Sequence, residues 1–215
     1  MRGDVILIGE EHRRAAKLIS DPLVDAIRST DRRFTLTVAG ESGSGKSETG
    51  QALAEALDGH GIRAVVLQQD DYYVLPPKSN EAARRANFCW VGTTEVRLDL
   101  LDTHLEAAQT GASSVVKPLV IFEEDRIDEE TVSFEGADVV IAEGVYTSLC
   151  DHVDRRIFID RNRLETLTHR LKRGREASDP FLEQVLTVEH EIISGHRARA
   201  DIIITRDYDV ELVRG

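Results

Sequence analysis

The chain has 215 residues, 41% of them hydrophobic and 31% charged, which is enough apolar material for one sizeable core and too much for a disordered chain. Lys and Arg total 27 against 39 Asp and Glu, a formal charge of −12, and that balance excludes a general nucleic-acid binder, which needs a basic face to displace counterions. Cys89 and Cys150 form no C-x-x-C pair, and no N-terminal apolar run exceeds Val5 to Ile8. The reading is therefore a cytoplasmic protein with no disulfide framework, zinc site, signal peptide or membrane partner.

Val5 to Ile8 reads as a short extra strand. His12 to Arg28 carries Ala15, Ala16, Ile19, Leu23, Val24 and Ile27 at helical spacing, with Pro22 as a break or a second helix start. Residues 1–33 form an N-terminal extension packed on a core domain, 34–215. Phe34 to Ala39 reads as a buried strand, and Ser47 to Leu57 as a helix with Leu53, Ala56 and Leu57 on one side. Arg63 to Leu67 is a second buried strand, and Tyr72 to Phe88, with Pro76-Pro77 and several charges, reads as irregular. Thr94 caps a helix from Glu95 to about Ala108 that buries Leu98, Leu101, Leu105 and Ala108. Leu119 to Phe122 and Thr131 to Phe134, separated by the charged stretch Glu123 to Glu130, suggest a hairpin. Val139 to Ala142 and Arg156 to Ile159 are further strands. Asn162 with Glu165 opens a helix to about Arg173, Asp179-Pro180 opens another, and Asp201 to Thr205 closes the chain as the last strand. Strands alternating with helices give an α/β three-layer fold around a parallel sheet.

Between the first core strand and its helix lies Gly40-Glu41-Ser42-Gly43-Ser44-Gly45-Lys46-Ser47, which fits G-x-x-x-x-G-K-[ST] at every fixed position. Glycines let the backbone turn tightly enough to aim N–H groups at one anion. The helix N-terminus adds partial positive charge, Lys46 adds a full one, and Ser47 offers a hydroxyl to Mg²⁺. These eight residues and Glu48 are the expected nucleotide-binding set, so the chain is expected to bind ATP or GTP with Mg²⁺.

Phosphoryl transfer also needs a carboxylate near the metal, a proton acceptor and positive charge on the transferring oxygens. Asp70 and Asp71 follow the second core strand, where either could accept a hydroxyl proton or meet the metal through water. Glu143 ends the run Val139-Val140-Ile141-Ala142, the form of a metal-side strand. Arg161, Arg163, Arg170, Lys172, Arg173 and Arg175 crowd one stretch, with Arg163 and Arg170 sharing a helix face. They read as a lid, residues 161–180, closing on the triphosphate. Tyr72, Tyr73, Arg84, Arg85, Phe88, Trp90 and Phe122, with Lys78 as a weaker member, are the expected acceptor pocket. Its aromatics suit a ring and its arginines an anionic group. The histidines show no metal-ligand spacing.

With these pieces placed, the chain resembles the uridine kinase and phosphoribulokinase family from Phe34 to Thr205. The resemblance rests on the glycine-rich loop, Gln69-Asp70-Asp71-Tyr72-Tyr73, Asn87-Phe88, Glu129-Glu130-Thr131-Val132, Ala137-Asp138-Val139-Val140 through Glu143-Gly144, Leu182 to Leu186, and Ala200 to Ile203. It implies a five-stranded parallel core, a lid helix and a small hairpin, residues 117–134, beside an acceptor-side segment, 72–92. It also implies that Asp70 rather than Asp71 is the catalytic acid, that Lys46, Ser47 and Glu143 contact phosphate and metal, and that Arg170 and Arg173 close from the lid. The chain departs from uridine kinases at Cys89 after Asn87-Phe88, at Asp125 in the hairpin, and at Thr166, Ser178 and Pro180 in the lid.

The expected function is thus a kinase that transfers a phosphoryl group from ATP or GTP to an alcohol of a sugar, polyol or nucleoside-like metabolite other than uridine. The alternatives are a nucleotide-binding regulator, an NTPase, or a uridine or cytidine kinase. A homo-oligomer is compatible with the N-terminal helix.

Overall fold

The computed structural model describes residues 1–3, 5–162 and 179–213. Six strands form one sheet in the order β2(Ala64–Gln68), β5(Val139–Glu143), β1(Phe34–Gly40), β6(Arg155–Ile159), β7(Ile202–Ile204) and β8(Val210–Leu212). The first five run parallel, as expected for the core, and β8 returns antiparallel against β7. Asp201 to Thr205 is therefore not the last strand; the chain turns at Tyr208 and adds one more.

The alternation in β5 divides the core into two. Val139 and Ile141 face a cluster built with helices α1(Glu10–Ser29) and α2(Lys46–Asp58), while Val140 and Ala142 face one that holds Leu101 and Leu105 of α4(Leu98–Gln109). Side chains on both faces of β1 are buried along its whole length, as a central parallel strand requires.

The six predicted apolar residues of α1 are all buried, and the helix runs unbroken through Pro22. Proline removes one backbone donor, but the acceptor it would have served belongs to the half-exposed Leu18, so the loss falls on the solvent side of the helix. Val5 to Ile8 is not a strand; only Arg2 bridges, to Ile121.

The segment expected to be irregular contains helix α3(Pro77–Ala86), with Pro77 at its first position. Only Asn80 of that helix is buried, so it carries no apolar period to read. Glu95 does not enter α4. Residues Thr93–Glu95 form a 3-10 turn in which the Glu95 carboxylate accepts from the Gly92 amide at 2.7 Å, and α4 begins at Leu98. The hairpin strands β3(Ser114–Ile121) and β4(Arg126–Ser133) are longer than expected, because the charged stretch pairs in register along an exposed ribbon. Asp179 caps α5(Pro180–Ile193) by accepting from the Phe181 amide. The helix expected from Asn162 to Arg173 falls outside the described residues. No helix among the described residues is long and apolar enough to cross a membrane.

Asp154 fastens the opposite edge of the sheet. It accepts from both Arg32 amino groups at 2.7 and 2.9 Å and from the Thr35 amide at 2.8 Å. Burial works against its ionised form, yet the Arg32 and Thr35 donors outweigh burial and hold the carboxyl below its usual range. A lowered folded pKa gives stability that is complete above the unfolded carboxyl pKa and is lost as pH falls through the folded one. Asp154→Asn is expected to cost about 1–3 kcal/mol at neutral pH. The gap between variant and parent should then close in acid below about pH 4, measured by urea unfolding across pH.

Candidate active site

Three loops meet at the C-terminal edge because register aligns their strands. Val38 and Gln68 both sit opposite Glu143, so β1, β5 and β2 end side by side. The glycine-rich loop follows β1, Gly144 follows Glu143, and a 3-10 turn, Gln69–Tyr72, follows β2. Neighbouring strands lie about 4.8 Å apart, which brings three sequence-distant groups into one cleft. Gln69 locks two of the loops together: its side-chain oxygen accepts from the Tyr146 amide at 2.7 Å. A Cβ on Gly144 would lie 2.2 Å from that of Gln69, so only glycine admits the crossing.

The cleft measures about 260 Å³ and is lined on its phosphate side by Ser42, Gly43, Lys46, Ser47, Asp70 and Glu143. Burial pushes the Glu143 carboxyl up to about 7; Asp70 beside it adds to the rise, while Lys46 and a hydrogen bond from Ser47 oppose it. Two crowded carboxylates and a hydroxyl form an all-oxygen donor set, the type that holds Mg²⁺ together with phosphate oxygens and water. These residues fit the ion.

Gly40, Glu41, Ser44, Gly45 and Glu48 form the back of the loop rather than the cleft wall, and all five are buried. Gly45 has φ +96°, and a Cβ there would lie 2.5 Å from the Tyr208 hydroxyl. The loop is braced at this point. The Gly9 amide donates to His12 Nδ1, which leaves Nε2–H to donate to Tyr208, whose hydroxyl donates to the Ser44 carbonyl at 3.2 Å. Arg161, placed in the lid by sequence, instead donates to the same hydroxyl at 2.9 Å and lies over the Tyr208 ring. Tyr208→Phe is expected to raise the nucleotide Kd about fivefold by leaving Ser44 and His12 without this bridge. Calorimetric titration with nucleotide tests it, and an unchanged Kd contradicts the brace.

Helix α5 holds the other flank. Glu189 accepts from the Ser42 hydroxyl at 2.8 Å, and His190 meets Glu41 at 2.6 Å. Sequence reasoning missed Glu189. The signal was there: it shares the buried face of α5 with Val185, Leu186 and Ile193, an acid on an apolar stripe.

Of the expected acceptor residues, Tyr73, Arg84 and Phe122 line the cleft, joined by Asn80, Leu75 and Leu182, which sequence reasoning did not name. The others do not. Tyr72 is fully buried in the core, with its hydroxyl 2.8 Å from His104, because the turn after β2 aims consecutive tyrosines to opposite sides. Arg85 points outward to Glu81 and Asp179 and covers the Phe181 ring, against which Phe88 also packs. Trp90 stands behind the wall and donates to Asn80 at 2.8 Å. Lys78 and Ser79 donate their amides to Asp125, which ties α3 to the hairpin turn instead of facing the cleft. Asp71 is also structural: it accepts from Lys117 at 2.6 Å and from the Val120 amide at 3.0 Å. Arg163, Arg170, Lys172, Arg173 and Arg175 lie outside the described residues.

A model of the phosphoribulokinase / uridine kinase family matches residues 35–211. The chain is 31% identical over 184 residues to a uridine kinase of Bacillus pumilus, a match that spans 78% of this chain and 83% of that protein. It is 27% identical over 196 residues to the bifunctional alpha-galactosidase/sucrose kinase AgaSK of Mediterraneibacter gnavus; this covers 85% of the chain but only 21% of that longer protein. Among solved structures, a D-glycerate 3-kinase from Cryptococcus neoformans has the same fold, with a TM-score of 0.61 at 16% identity, over 95% of this chain and 99% of that one.

Proposed function

The chain belongs to the phosphoribulokinase and uridine kinase family and is a small-molecule kinase with an alcohol acceptor, and from that premise we propose how it works and on what. The donor is ATP, with GTP as a second candidate, and Mg²⁺ accompanies it. Lys46 and the loop 43–47 bind its outer phosphates, with the N-terminus of α2 adding partial positive charge. Ser47, Asp70 and Glu143 would hold the ion, which supplies charge neutralisation at the phosphates. Asp70, half-buried on the cleft wall, accepts the proton of the attacking hydroxyl. Arg170 and Arg173 close from the lid.

The acceptor is a sugar, polyol or nucleoside-like metabolite other than uridine or cytidine. The observation that carries the reading is that Lys46, Ser47, Asp70 and Glu143 share one cleft with an apolar set, Leu75, Phe122 and Leu182, and a polar set, Tyr73, Asn80 and Arg84. Against uridine stand the exposed Cys89 and the engaged Asp125 at two positions where the family's nucleoside readers differ. ADP release should rise at least about tenfold when the right alcohol is supplied to protein, ATP and Mg²⁺. Release that is equally fast with no alcohol present contradicts transfer to one.

A further inference from the structure

Arg84 was expected to offer its charge to an anionic group, but its surroundings argue otherwise. Its Nε donates to Glu95, and its amino group lies 3.8 Å from Glu189. Only 16% of the Arg84 side chain is exposed, and both carboxylates are buried. One guanidinium therefore sits between two acids. Glu95 is itself held by Asn80 and the Gly92 amide, and Glu189 by Ser42, so neither acid is free to swing away.

The neighbouring cations are matched as well. Lys117 is buried against Asp71, with Glu130 at 3.2 Å, and Arg85 pairs with Glu81 and Asp179. Lys46 stands at the phosphate loop. Burial pushes the Glu189 carboxyl up, against the pull of Arg84 and Ser42. With Glu189 ionised the Arg84 cluster carries one net negative charge, and with it protonated the cluster is neutral. In neither state does it present net positive charge to a ligand. An anion placed at this cluster would lose water and gain no counter-charge from it; of the other described cations lining the cleft, Lys46 stands at the phosphate loop and the Met1 ammonium pairs with Asp71 at 3.2 Å.

We infer that the acceptor is an uncharged, polyhydroxylated molecule, and that compounds already bearing a phosphate or carboxylate are rejected at the Arg84–Glu95–Glu189 cluster. The inference rests on the kinase reading above and narrows its substrate class. Hydroxyls suit this wall because each can donate to a carboxylate and accept from Arg84 or Asn80 in one geometry. The apolar side, with Phe122 and Leu182, suits the C–H face of a sugar or polyol. Hydroxyl recognition by buried partners that are already charge-balanced discriminates by hydrogen-bond completeness, not by charge attraction.

The test is kcat/KM of the full chain with ATP and Mg²⁺ on matched acceptors: glucose, fructose, sucrose, glycerol and xylitol, each beside its monophosphate or the corresponding acid, with glucosamine as a cation. The neutral member of the preferred pair should exceed its anionic partner by at least about 100-fold, the loss expected for one uncompensated buried charge. Glu189→Gln, which removes one acid from the cluster, should narrow that ratio about tenfold; Glu95→Gln serves if the first variant does not fold. Equal or better turnover of an anionic partner, a preference for glucosamine, or an unmoved ratio in a folded variant overturns the inference while leaving the kinase intact. Turnover of no acceptor by a protein that still binds ATP overturns the kinase reading itself, and this inference with it.

Discussion

Asp70→Asn is expected to lower acceptor-dependent kcat by about a thousandfold while changing the nucleotide Kd by no more than a few-fold. The amide keeps the shape of the side chain, so the turn Gln69–Tyr72 should stay in place, held by Gln69 against the Tyr146 amide. What is lost is the proton acceptor. An alcohol is a poor nucleophile until its proton can leave, and the other carboxylates that line the cleft are engaged, Glu143 by Ser47 and Glu189 by Ser42. The check is a single-turnover assay at saturating ATP and acceptor beside a calorimetric titration with nucleotide. A variant that keeps its rate moves the base elsewhere. A variant that loses nucleotide binding in parallel makes Asp70 a ligand of the donor instead.

Lys117→Met should be the most destabilising single change on the acceptor side. The ammonium and Asp71 are both about 95% buried or more, and Asp71 also accepts from the Val120 amide. Removing Lys117 leaves the buried carboxylate with only the Met1 ammonium, 3.2 Å away, as counter-charge, at a cost of about 3 kcal/mol. That corresponds to a fall of about 10 °C in Tm for a chain of this size. The double variant Asp71→Asn with Lys117→Met removes both side-chain charges and should regain part of the loss, because a neutral pair incurs little desolvation penalty while the Met1 ammonium keeps Gln68 as a partner. The pair matters for function because it fixes the hairpin strand β3 to the residue next to Asp70, so the folded fraction of Lys117→Met should also show a lower kcat. A Tm within 2 °C of the parent, well short of the expected fall, would contradict a structural role for the pair.

How much of this was legible depends on the kind of signal each residue carried. The phosphate loop could be read because its spacing is rigid and its flanks alternate between a buried strand and an amphipathic helix. That Asp70 and Glu143 meet in one cleft could be read because strand ends are marked by the loss of apolar residues, and parallel strands bring their ends together. Helix α3 was hidden because, in Pro-Lys-Ser-Asn-Glu-Ala-Ala-Arg-Arg-Ala, one polar residue is all it buries. Pro22 misled in the other direction: a local rule about donors gave way to a long apolar face that holds α1 in place. Of the aromatics expected at the acceptor, Tyr73 and Phe122 line the cleft and Tyr72, Phe88 and Trp90 do not, since composition places them in the segment but not on a side of it. Tyr72 and Tyr73 differ by one position, and one enters the core while the other enters the cleft. Arg84 could be placed from the sequence but not its partners, because Glu95 meets it only through the 3-10 turn after α3 and Glu189 only through α5, far along the chain. The expected lid residues Arg163, Arg170, Lys172, Arg173 and Arg175 fall outside the described residues.

The most direct test of the central claim follows phosphorus. Protein, ATP, Mg²⁺ and a mixture of neutral sugars and polyols are incubated and watched by ³¹P NMR. Transfer to an alcohol predicts that the γ-phosphorus signal is replaced by a phosphomonoester resonance that grows with ADP and vanishes in Asp70→Asn. Growth of inorganic phosphate alone, at a rate indifferent to the added alcohols, would mean that water is the acceptor and that this cleft is not a kinase site.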